Sequence, residues 1–65
     1  MGAAYDLWTG VVSARLEDYT GRGLADAPTW ITRALPEWWQ RGFSAAWVAE
    51  RLAVCRWARG RSALK

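Results

Sequence analysis

Apolar residues recur along this chain at helical spacing, and no stretch alternates as a strand would. From Ala3 to Tyr19, "AAYDLWTGVVSARLEDY" places Ala4, Trp8, Val11, Val12, Leu16 and Tyr19 on one broad face, with Asp6, Ser13 and Glu17 opposite. Asp6 near the N-terminus suits the helix dipole. Arg15 falls inside the apolar arc, which is consistent with a packed stem and a guanidinium reaching towards Asp18 at i+3. "TGRGL" then ends the helix with two glycines.

The second apolar stripe is Trp30, Ile31, Ala34, Leu35 and Trp38. It stays in phase across Pro36, which lies on the outward face. One helix kinked at Pro36, or two aligned pieces, is expected over residues 27–41, with Asp26 as N-cap and Pro28 in the first turn. Gly42 stops it. Trp39 lies at the edge of the stripe beside Trp38, and both cannot point into one small core.

Ser44 is the N-cap candidate of a third helix, residues 44–52, with Val48, Ala49, Leu52 and Cys55 on one face. Continued to Gly60 without a break, that helix would point Val54 away and bring Arg56 and Arg59 into the face. A turn around Ala53 and Val54 is therefore preferred. It would return Val54 to the core and start a short fourth helix near 55–59. The alternative is an unbroken helix with a second apolar face of Trp47, Val54 and Trp57. The fold class is all-α: a small single-domain bundle of three main helices (about 3–19, 27–41 and 44–52), with Trp8, Trp30 and Trp38 in its core.

Composition narrows what such a bundle can do. A chain of 65 residues buries a limited share of its surface. Cys55 is the only cysteine and there is no histidine, so neither an internal disulfide nor a zinc site is expected. No metal or other cofactor is expected, and no nucleophile–base pair or phosphate-binding loop is legible, so enzymatic activity is not expected. No stretch is long and apolar enough for a membrane span, and no secretory signal is visible, which points to the cytoplasm. Packing must therefore rest on hydrophobic residues, among them six tryptophans.

The net charge of +3 is unevenly spread. Residues 1–50 carry four basic and six acidic side chains, whereas residues 51–65 carry five basic and no acidic ones. Such a basic end suits phosphates or an acidic protein surface.

"ALPEWWQRGFSAAWVAERLAV", residues 34–54, resembles the first part of a helix-turn-helix DNA-binding unit. Gly42, Ser44, Val48, Ala49, Leu52 and Val54 match its turn, cap and core places. Ala53 stands where the turn glycine is expected, Arg59 replaces an apolar anchor, and Gly60 interrupts the following helix early. The resemblance implies a nucleic-acid-binding regulator using Arg51, Arg56, Trp57, Arg59, Arg61 and Lys65, holding phosphates more than reading bases.

The leading expectation is different. Tryptophan and arginine dominate protein-interface hot spots, and Trp47 falls where a helix-turn-helix unit carries an exposed polar residue. Trp39, Arg41, Trp47 and Arg51 are the expected contact residues for a protein partner or for self-association, in a protein that binds and modulates its target. Small proteins of phages and mobile elements that block a host complex are one setting for that role. A third class, cationic Trp-rich membrane-active peptides, needs a basic amphipathic face, which the acidic residues of the first two helices dilute.

Overall fold

The computed structural model describes residues 2–55 together with Trp57 and Ala58. Three α-helices make up the fold: α1, Ala3–Thr20; α2, Thr29–Gln40; and α3, Ala45–Ala53, with a 3₁₀ turn over Leu24–Asp26 between the first two. Trp57 and Ala58 are also helical. Arg56 and Arg59 of the fourth helix expected near 55–59, and Arg61 and Lys65 beyond it, lie outside the described residues.

α1 lies chiefly against α3 and makes a smaller contact with α2. Its buried face is a narrow stripe, Trp8, Val12 and Leu16, at i, i+4 and i+8. Ile31 and Leu35 from α2 and Val48, Ala49 and Leu52 from α3 complete the core. The larger of these aliphatic side chains each contribute about 1.5–3 kcal/mol through burial. Ala49, fully buried, has no bulk to hold α1 and α3 apart. The face expected for α1 was too broad: Ala4, Val11 and Tyr19 are exposed, because one neighbouring helix covers only one stripe. Arg15 is exposed and makes no ion pair with Asp18.

The start of α2 also departs from expectation. Asp26 is in the 3₁₀ turn, not at the N-cap, which is Pro28. A residue before proline is driven to extended backbone, and Ala27 is extended at φ −71°, ψ 145°. That keeps the helix from starting before Pro28, and Pro28 is itself extended at ψ 161°, so the helix begins at Thr29, with the Pro28 carbonyl accepting from the Ile31 amide at 3.0 Å. α2 then runs unbroken through Pro36, which is half-buried and not outward-facing.

The α2–α3 connection is tightly built. Phe43 N–H donates to the Trp38 carbonyl at 3.2 Å and Gly42 N–H to the Trp39 carbonyl at 3.1 Å. This pair is the Schellman closure, which needs a left-handed residue; Gly42 supplies it at φ +85°. Ser44 then caps α3, its Oγ accepting from the Trp47 amide at 3.1 Å. Replacing Ser44 with alanine should lower stability by about 1 kcal/mol, read as a lower urea midpoint with an unchanged slope.

α3 ends where its apolar phase breaks, after Ala53. Val54 is the C-cap, and the Cys55 amide donates to the Leu52 carbonyl at 3.1 Å. The turn does not return Val54 to the core, however: it is 64% exposed. Ala58 fills the interior instead, fully buried one turn further on.

Candidate interaction groove

α2 and α3 are joined by a short turn but stand apart along their lengths, and a groove of about 180 Å³ opens between them. Trp30 and Trp38 line it from α2; Trp47, Arg51 and Cys55 line it beyond and along α3. Its floor is Val48 and Leu52, both buried in the core. The walls are therefore held by the same helix face that packs the fold.

On the α3 side, spacing produces a three-tier stack. Trp47 and Arg51 fall at i and i+4 on α3 and so lie above one another, and Phe43, one residue before the Ser44 cap, supplies the third tier. The Phe43 and Trp47 rings are 4.5 Å apart at 25°, and the Arg51 guanidinium sits 5.3 Å from the Trp47 ring centre. Phe43 is itself pinned, because Trp8 Nε1–H donates to its carbonyl at 3.0 Å. Trp47 nevertheless remains 44% exposed.

On the α2 side, Trp30 was expected in the core and is 55% exposed. Its stripe is in phase, but it sits at the first turn of α2, where α3 is too distant to cover it. Trp38 is half-buried at the edge of the core. The sequence offered a signal for both, since Trp30 and Trp38 lie two turns apart on one face with Ala34 between them.

The residues expected at a contact surface separate into three groups. Trp47 and Arg51 are brought together in the groove. Trp39 points the other way, half-buried, with its ring 5.6 Å from Trp8 and 5.9 Å from Tyr5. Arg41 is bound to Glu37 by an exposed i,i+4 ion pair at 2.9 Å and does not line the groove. Of the residues in the nucleic-acid set, Trp57 is half-buried beneath Arg22, whose guanidinium lies 5.6 Å from its ring centre. Arg22 also donates to the Trp57 carbonyl at 3.1 Å, and its Nε is buried without a partner among the described residues. "TGRGL" reads in the sequence as a helix stop, and its Arg22 also forms this clamp. Nothing local in the sequence signals a pairing that spans 35 positions.

Cys55 lines the groove, and partial burial pushes its thiol pKa above the ordinary value. The thiolate is the reactive form, so burial lowers its fraction at neutral pH. Alkylation by iodoacetamide should reach its half-maximal rate at a higher pH in the folded protein than in urea. A profile shifted to lower pH would contradict that environment.

Among the described residues there is no group of three or more His, Cys, Asp or Glu side chains that could hold a metal ion. No helix among them is long and apolar enough to cross a membrane. The chain matches no protein-family model, no curated protein and no solved structure.

Proposed function

We propose that this chain is a non-enzymatic binding module that holds and modulates a protein partner through the groove between α2 and α3. The observation that carries this reading is the convergence of Trp30, Trp38, Trp47 and Arg51 on one opening with a buried aliphatic floor. These residue types provide large contact area at low entropic cost, and central, well-packed examples carry most interface energy. Trp30 and Trp47 both keep about half their surface in water in the isolated chain, so covering them gives a partner a hydrophobic gain.

Affinity capture from the source-cell lysate, with and without nuclease, tests the reading when run beside a Trp47→Glu variant. The expected result is a protein that survives nuclease treatment and is lost with the variant. Sedimentation of the purified protein distinguishes self-association, which would make a second copy the partner. Capture that disappears with nuclease and ignores Trp47 would overturn the proposal.

A second reading, nucleic-acid binding of helix-turn-helix type, has its own support. Ser44 caps α3, Val48, Ala49 and Leu52 are buried, and the chain turns at Val54. Against it stands exposed Val54, which that motif would place in the core. A gel-shift titration at two salt concentrations separates the cases, because phosphate-driven binding weakens steeply with salt.

A further inference from the structure

We infer that the segment seated in the α2–α3 groove is acidic, inserting one aromatic or branched aliphatic side chain between the tryptophans and setting a carboxylate on Arg51. This inference rests on the protein-binding reading and specifies the chemistry of the partner.

The first argument is size. The groove, at about 180 Å³, is close to the roughly 150 Å³ of an apolar cavity that accepts a benzene ring. It holds one anchoring side chain, not a row of them. Its walls are indole rings over Val48 and Leu52, so the anchor is apolar.

The second argument is charge. Arg51 is the only cation among the described residues lining the groove. The Arg51 guanidinium carbon lies over the Trp47 ring, 5.3 Å from its centre, a contact that does not consume its N–H donors, which remain for a planar acceptor. No Asp or Glu lies within ion-pair distance of it; the one such pair among the described residues is Arg41–Glu37. A carboxylate matches the guanidinium fork with two parallel hydrogen bonds. One cation beside one apolar slot fits one carboxylate beside one apolar side chain. A nucleic-acid strand would instead call for several cations tracking successive phosphates, and among the described residues lining the groove there is one.

The test uses the full chain, ¹⁵N-labelled, and synthetic probes. The first is the hexapeptide acetyl-Ala-Ala-Phe-Asp-Ala-Ala-amide. Its Asp-to-Asn and Phe-to-Ala counterparts and an oligothymidylate complete the set. The Phe-Asp peptide should move the indole N–H signals of Trp30, Trp38 and Trp47 and the Arg51 side-chain signal. The Trp8 indole, bonded to the Phe43 carbonyl, should stay still. The Asn peptide should bind about tenfold more weakly, the Phe-to-Ala peptide should not bind, and Arg51→Gln should abolish the Asp–Asn difference.

Equal binding of the Asp and Asn peptides would overturn the acidic-segment inference and leave the groove as a protein site. Shifts at the same indoles with the oligothymidylate, and none with any peptide, would overturn the inference and the protein-binding reading together. Silence with every probe would overturn the inference alone; the Trp47→Glu capture experiment then decides the broader reading.

Discussion

Replacing Trp8 with alanine is expected to unfold the protein. Trp8 is 8% exposed and stands where the N-terminal end of the buried α1 stripe meets the α2–α3 turn. Its ring is stacked on Tyr5 at 6.1 Å and meets Trp39 edge-on at 5.6 Å, while its Nε1–H holds the Phe43 carbonyl. Truncating a buried tryptophan costs about 3–5 kcal/mol, and the orphaned carbonyl adds to that. Small domains have about 5–15 kcal/mol in all, and short chains sit at the low end. Far-ultraviolet circular dichroism during urea titration should show a folded baseline that is short or missing. Trp8→Phe keeps most of the packing and loses the hydrogen bond, so it should remain folded with its stability lowered by about 1 kcal/mol. A fully stable Trp8→Ala variant would mean that α1 does not pack on α3 through this face.

Periodicity located the elements well because each helix buries one face and is bounded by turn residues. Ser44, Gly42 and the break after Leu52 were legible for that reason: caps and phase are local properties. What failed was coverage, which depends on how far a neighbour reaches. Val11 and Tyr19 lie within the apolar arc of α1, yet α3 covers only the stripe through Trp8, Val12 and Leu16. Trp30 is in phase with Ile31 and Leu35, yet the separation of α2 from α3 turns it into a groove wall. The same separation redistributes the candidate site. Trp47 and Arg51 were legible because they lie off the core face of α3. Trp38 and Trp30 were assigned to the core, and Trp39, selected for its edge position, packs on α1. Adjacent tryptophans point about 100° apart on a helix, so one had to face α1 and the other the groove. Which took which side was set by the placement of α1, a tertiary fact.

Exchanging Trp47 for glutamate should abolish partner binding and leave the fold intact. The local consequences favour the helix. Position 47 is in the first turn of α3, where a negative charge suits the dipole, and a glutamate there stands i,i+4 to Arg51 in the favourable orientation. The lost stacking on Phe43 and Arg51 involves a side chain 44% exposed, well short of a core deletion. Binding responds differently, because the groove loses a wall and Arg51 gains an internal carboxylate that competes with the partner's. A central interface tryptophan is worth about 2–4 kcal/mol, or about 30- to 1,000-fold in Kd, and repulsion of an acidic segment adds to it. Thermal melts followed by circular dichroism should therefore nearly coincide with wild type while capture of the partner disappears. Arg41→Ala is the matched control: its exposed pair with Glu37 contributes under about 1 kcal/mol and lies outside the groove, so both stability and capture should persist. A Trp47→Glu protein that melts normally and still binds would move the interface elsewhere. One that no longer folds would make Trp47 a structural residue, and Arg51→Gln would then be the variant that reads out the groove.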